Sequence, residues 1–217
     1  MKIGIVGTGN ISLRHLEEFN KIDNVKIEAV CDTSKDNLKK FLSLNNKYEI
    51  RGYTSLDEML SKEKNFDGIT NATPDKFHKE TSVKILNNGY NIFCEKPLAE
   101  NYEDAKIMVE AAINAKKINM VNFTYRESSA YQKLVDIIKS GDVGLPRHVS
   151  ACYYQSWLSS NKWGNWRKED KWLWRLSKKH GSNGALGDTG VHIFDFAINA
   201  VGDIKKIFTD IKTYHDK

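Results

Sequence analysis

The sequence predicts a doubly wound parallel α/β domain over residues 1–122, followed by an incomplete α+β open-sheet domain over residues 123–217. Three observations carry that prediction. Through residue 122, short β-branched runs alternate with helical patterns of roughly 10–15 residues, the signature of βαβ units whose crossovers build a parallel sheet covered on both faces. A glycine-bearing turn, GTGNIS, stands between the first strand and the first helix. After Phe123 the rhythm changes to long strand-like stretches with few helices, which suits an open, largely antiparallel sheet with one helical face.

The elements follow in order. KIGIV is the first strand, with a helix from about Asn10; VKIEAVCD is the second, with a helix from about Ser34; EIRGYT is the third, with a short helix after Ser55. FDGIT leads to a helix over Asp75–Asn88, NIFCEK to a helix over Asn101–Ala115, and INMVNF closes the domain. Beyond it the pattern gives a helix from Ser128 to Lys139, the strand-like PRHVSACYYQSW, a Trp-rich basic stretch, a helix from Leu186 to Val201, and the strand-like KKIFTDIKTY.

Composition bounds the function. The chain has 217 residues, 40% hydrophobic and 28% charged, enough apolar content for a packed core and too little bias for disorder. Its surplus of five positive charges lies entirely in residues 123–217, and the segment 162–179 alone holds seven basic residues against two acidic ones. A nucleic-acid binder spreads its basic residues along a helix or groove within a known module, and no such module is present. Three dispersed cysteines make no disulfide framework, and no apolar run approaches the ~18 residues of a membrane span, so a reducing cytoplasm without membrane contact is expected.

Chemistry enters at the first turn. Gly7, Gly9 and Ser12 have the G-x-G-x-x-G spacing: Gly7 permits the tight turn, and Gly9 lets backbone approach a pyrophosphate. A small third residue lets helix pack on strand, and the phosphates meet the free N–H groups of the helix that begins at Asn10 and Ile11. Asp32 ends the second strand, 23 residues after Gly9, where a carboxylate accepts both hydroxyls of an adenosine ribose. That acid repels a 2′-phosphate and favours NAD, while Lys35 leaves NADP open.

GTGNISLRH, NATPDKFH, CEKPLAE and GDTGVHIFD, in this order across residues 7–195, resemble the Gfo/Idh/MocA family of NAD(P)-dependent oxidoreductases. The resemblance implies a Rossmann domain, a second α/β domain with a large open sheet, and a substrate site between them where a sugar, polyol or related compound is oxidised or reduced. Asn71, Thr73 and Pro74 then lie at the carboxyl edge of the sheet, where open α/β sheets bind ligands. His78 either lies near the cofactor, as in the family, or is a helix-start residue in contact with water. Glu95, Lys96 and Pro97 end the fifth strand at the same edge, and the family's matching lysine touches the reacting hydroxyl, a role carried to Lys96. Asn122, Tyr125 and Arg126 match an N-x-x-Y-R seen near nicotinamide and substrate; a domain hinge is the other reading of Arg126.

Asp188, His192 and Asp195 fall at i, i+4 and i+7, one face of a helix. Oxidising an alcohol requires its hydroxyl proton to leave as hydride departs from the same carbon, and a neutral imidazole is a base matched to pH 7. His192 is the candidate base, Lys96 the charge that stabilises the alkoxide, and Asp188 the group that orients the imidazole or binds a neighbouring hydroxyl. Asp195 holds a second hydroxyl or braces the helix. A His with two carboxylates is also a metal-ligand set, but hydride transfer to nicotinamide needs none, and no metal is expected. All five tryptophans fall within residues 157–174, which suggests a substrate lid or subunit contact more than core packing; there Trp174 and Arg175 match a WR pair of some family members.

The family's second domain normally continues past Lys217, so the chain is expected to be a fragment that forms a homo-oligomer through the second-domain sheet when full length. A noncatalytic dinucleotide-binding or interaction protein is the alternative function.

Overall fold

The computed structural model describes residues 1–156, 160, 164–166, 168–169, 172–177 and 183–212, with backbone only for residues 173 and 174. The chain divides into two units, Met1–Asn122 and Phe123–Lys217.

In the first unit, β1 (Lys2–Val6), β2 (Lys26–Cys31), β3 (Arg51–Tyr53), β4 (Gly68–Asn71), β5 (Asn91–Glu95) and β6 (Asn119–Asn122) form one sheet in the order β3-β2-β1-β4-β5-β6. Every pairing is parallel. The order reverses between β1 and β4, which makes a topological switch point where the Rossmann fold binds its dinucleotide. Register brings the strand ends level: Val6 pairs with Cys31 and Asn71, Asn71 with Cys94, and Glu95 with Asn122.

The strand alternation feeds two cores. On one face Ile3, Ile5, Ile27 and Val30 pack with Leu16 of α1 (Asn10–Phe19) and with Leu38 and Phe41 of α2 (Lys35–Leu44). On the other, Val6, Ala29, Cys31 and Ile69 pack with α3 (Leu56–Lys62), α4 (His78–Asn87) and α5 (Tyr102–Ala115) through Met59, Ile85 and Ala112. Both faces are therefore apolar and both are covered, as the near-continuous hydrophobic strands require.

The second unit opens with a 3₁₀ turn over Thr124–Glu127 and α6 (Ser129–Ser140), which ends at Gly141 with φ +84°. The short α7 (Leu173–Leu176) follows, then a π-helical turn over Leu186–Gly190 that runs into α8 (Val191–Val201). Tyr131 of α6 stacks on Phe196 of α8 at 4.4 Å and donates its hydroxyl to the Phe196 carbonyl at 2.9 Å. The strands expected in PRHVSACYYQSW and KKIFTDIKTY are not formed among the described residues, and 146–156 and 202–212 run without a paired ladder. Their side chains are largely exposed, Phe208 at 99%, so their apolar residues have no facing layer to pack on.

Candidate active site

The nucleotide cradle is built at the β1–α1 turn. Gly7 sits at φ +90°, donates its amide to the Cys31 carbonyl at 2.8 Å, and a Cβ there would lie 2.6 Å from the Ala72 carbonyl oxygen. Only glycine fits. Gly9 is different: a Cβ would meet nothing within 4 Å among the described residues, so the space beside it is open. Gly9 is also the N-cap of α1, and no described side chain caps that helix; Ser34, Ser55 and Asn101 cap α2, α3 and α5, while α4, α6 and α8 start without a side-chain cap as α1 does. The leading amides of α1, at Asn10 and Ile11, are left for an anion, and the residues present fit a pyrophosphate. Ser12 replaces the third glycine without penalty, fully buried and donating to the Gly9 carbonyl at 2.5 Å.

Asp32 stands just past β2. Its Oδ2 accepts from the Thr8 amide and the Thr8 hydroxyl, both at 2.8 Å, and its Oδ1 accepts from the Ser34 amide at 2.8 Å. Three of the roughly four lone-pair sites of a carboxylate are thus engaged within the chain. The acid welds the glycine turn to the end of β2 and keeps roughly one of its four acceptor sites unengaged by these three bonds, where the sequence reading asked for two ribose hydroxyls.

At the ends of β4 and β5 the predicted residues lie together, though several turn inward. Asn71 is fully buried, donating to the His78 carbonyl at 3.2 Å and the Ser82 hydroxyl at 2.9 Å. Its Oδ1 accepts from the Thr73 amide and hydroxyl at 3.2 and 2.7 Å, so Asn71 shapes the loop that carries half-buried Thr73 and exposed Pro74. His78 is 0% exposed, which removes the reading of a residue in contact with water. Its Nδ1 is 2.7 Å from the Pro97 carbonyl and its Nε2 2.9 Å from the Thr73 carbonyl.

Glu95 is buried, and its Oε1 lies 2.7 Å from His15 Nε2 and accepts from Asn122 Nδ2 at 2.7 Å. Its Oε2 accepts from the Lys96 amide at 3.3 Å. Burial works to raise the Glu95 pKa, but the hydrogen bonds from His15 and Asn122 outweigh it and hold the carboxyl below its ordinary range. Glu95 and Asn122 were expected on the cofactor; their side chains are engaged with each other. His15 was not singled out from sequence at all. The available signal was its place on the buried Ser12, His15, Leu16 stripe of α1. Lys96 itself is half-buried and enters a cis peptide with Pro97.

The second unit holds the other candidates. Asp188 lies in the π-helical turn and His192 in the first turn of α8, 6% exposed. Around the imidazole stand Tyr125 at 4.7 Å, Phe123 at 6.1 Å and Tyr153 at 6.5 Å between ring centroids. The Tyr125 and Tyr153 hydroxyls are 2.9 Å apart. That bond, burial and the nearby Asp188 carboxylate push the Tyr125 phenol up to about 12. Arg175 reaches Asp188 at 3.5 Å. Asp195, 7% exposed, is paired with Arg126 through both Nε and Nη2, a contact that braces the start of the second unit and ties Arg126 to α8. Trp166 is buried and Trp172 half-buried, so core packing claims part of the tryptophan cluster. Trp157, Trp163 and the side chain of Trp174 lie outside the described residues. Among the described residues no three His, Cys, Asp or Glu gather as a metal site, and no helix is long and apolar enough to cross a membrane.

Residues 1–123 match the Gfo/Idh/MocA family, an oxidoreductase family with an NAD-binding Rossmann fold, and residues 131–217 match that family's C-terminal domain. The chain belongs to the Gfo/Idh/MocA family. It is 27% identical to glucose-6-phosphate 3-dehydrogenase of Bacillus subtilis, over 100% of this chain and 60% of the relative. It is 31% identical to inositol 2-dehydrogenase of Salmonella typhimurium over 72% of this chain and 46% of the relative. A solved structure of levoglucosan dehydrogenase in complex with NADH and levoglucosan has the same fold, with a TM-score of 0.80 at 24% identity, over 94% of this chain and 54% of the other. The chain spans between about a third and three-fifths of the length of the first curated relatives it matches.

Proposed function

We propose that this chain carries the cofactor domain and the proton-handling residues of an NAD-dependent dehydrogenase acting on a CH–OH group of a sugar, polyol or sugar derivative. The observation that carries the reading is the placement of Lys96 at the carboxyl end of β5, on a turn fastened by Glu95 and His78 beside an open glycine cradle. The curated relatives, a sugar-phosphate and an inositol dehydrogenase by name, support the substrate class.

The amides after Gly9 hold the pyrophosphate, and Asp32 reads the ribose and disfavours a 2′-phosphate. The nicotinamide, when bound, supplies the hydride acceptor. Lys96 presents a fixed positive charge to the alkoxide that develops on the substrate oxygen. His192 takes the hydroxyl proton, and its aromatic surround restricts water around the imidazole. Asp188, at i−4 from His192, orients the ring or binds a neighbouring hydroxyl, and Arg175 steadies Asp188. The charge surplus of residues 162–179 makes an anionic sugar a rational member of the substrate set. Buried free thiols at Cys31 and Cys94 support a reducing, cytoplasmic setting, and we place the whole protein there as a homo-oligomer.

The test follows NADH absorbance with a panel of inositols, aldoses, sugar phosphates and uronates. Lys96→Ala and His192→Ala are each expected to lose at least about 100-fold in turnover, the scale of a general acid–base contribution, with NAD still bound. Near-wild-type activity in either variant removes that residue from the mechanism. Tighter binding of NADP than NAD overturns the cofactor preference. NADH binding without turnover on any panel member favours a noncatalytic dinucleotide-binding protein.

A further inference from the structure

We infer that His78, carrying a proton on both ring nitrogens, is a positioning residue that fixes the turn presenting Lys96. The inference rests on the reading of Lys96 as a catalytic residue. Its ground is the pair of partners the imidazole meets: the Pro97 carbonyl at Nδ1, 2.7 Å away, and the Thr73 carbonyl at Nε2, 2.9 Å away. A carbonyl oxygen only accepts. A neutral imidazole has one N–H and one bare lone pair, so it would set that lone pair against an oxygen in a place with no solvent exposure. Only the imidazolium satisfies both contacts.

The two carbonyls belong to the loops that border the site. Thr73 follows β4, and Pro97 follows Lys96, so one buried ring ties the β4 loop to the β5 loop. Lys96 is then held on both sides, its amide by the Glu95 carboxylate at 3.3 Å and the next residue's carbonyl by His78. The titratable groups that act on His78 are Cys94 from β5 and Asp75 from the 3₁₀ turn before α4. Burial pulls the imidazole pKa down, but Cys94, the Pro97 carbonyl and Asp75 outweigh it and push it up to about 9.

The experiment is side-chain and backbone ¹⁵N NMR on the whole labelled chain across pH 6.5–10, with the His78 signals assigned by their loss in His78→Gln. At pH 7.5 both His78 ring nitrogens are expected to be protonated, and the Lys96 amide is expected to move with the same midpoint as the ring. A single neutral tautomer at pH 7.5, or a Lys96 amide indifferent to the His78 titration, overturns the inference. These readings need no turnover and stand even where Lys96→Ala leaves activity intact, so failure of the catalytic reading is distinguishable from failure of this one. In kinetics, His78→Gln is expected to lower kcat at least tenfold with the Kd for NADH within about threefold, because the lost contact fixes the lysine and not the phosphates. Where Lys96→Ala has lost turnover, an unchanged kcat in a folded His78→Gln also overturns it.

Discussion

Two glycines two residues apart separate folding from binding. Gly7 is required by its own backbone: φ +90° disfavours any side chain, by about 1–2 kcal/mol for an L-residue in the left-handed region, and a Cβ would overlap the Ala72 carbonyl at 2.6 Å. Gly9 has open space among the described residues, so no contact within the fold requires its smallness, which suits the proposed approach of a pyrophosphate. Gly7→Ala is expected to lower the melting temperature by at least about 5 °C, whereas Gly9→Ala melts like the wild type and binds NADH at least tenfold more weakly; calorimetry and NADH fluorescence read the two. The same scale shows why the site was only partly legible. Sequence spacing puts Asn71, His78, Glu95 and Asn122 at one edge of the sheet, and they are there. Which way each side chain turns depends on partners distant in sequence, such as His15 for Glu95, and no local pattern announces them. His78 also makes stability depend on pH. Its folded pKa of about 9 exceeds the ordinary 6.5, so its contribution is complete below 6.5 and lost as pH rises through about 9. That difference corresponds to about 3 kcal/mol at most, and denaturant midpoints measured from pH 6 to 10 should decline for the wild type and stay flatter for His78→Gln.

Helix starts differ in what satisfies them. The Asn101 Oδ1 accepts the Asp104 amide at 2.9 Å, and Lys79 reaches the Asp104 carboxylate at 2.7 Å, so the start of α5 is satisfied from within. The start of α1 has no such cap among the described residues and is left polar and open beside Gly9. Asn101→Ala should therefore cost about 1 kcal/mol of stability with NADH affinity unchanged, a loss visible in urea unfolding and absent from a binding titration. Elements were the most legible level. All six strands of the first unit and its helices sit where alternation and 3.6-residue periodicity put them, because each buries its own apolar face against a neighbour supplied by the same βαβ rhythm. Pro146–Ser156 and Lys205–Lys212 have the same β-type composition and form no ladder, because strand composition provides a surface that fits a sheet and cannot provide the adjacent strand.

At the scale of the molecule, the boundary after Asn122 separates self-sufficiency from dependence. Among the described residues, both hydrophobic core clusters, from Ile3 to Ala112, lie within residues 1–122, as do the six paired strands and the hydrogen bonds that join the glycine turn to Asp32 and shape the Asn71–Thr73 loop. Asn122 Nδ2 on Glu95, at the last residue of β6, ties the final strand back to β5. The segment 1–122 produced alone is therefore expected to unfold in one cooperative transition and to bind NADH within about tenfold of the whole chain, with no turnover, since His192 and Asp188 are gone. The apolar residues it leaves in the open, Ile113 at 67%, Ile118 at 75% and Met120 at 59%, lie on α5 and around the β6 edge, so weak self-association at high concentration is the expected accompaniment. Calorimetry with a fluorescence titration reads the first two outcomes, and light scattering the third. A segment that is folded but binds NADH a hundredfold more weakly would place essential cofactor contacts in residues 123–217 and shift the weight of recognition from the cradle to the Tyr125 and His192 side of the protein.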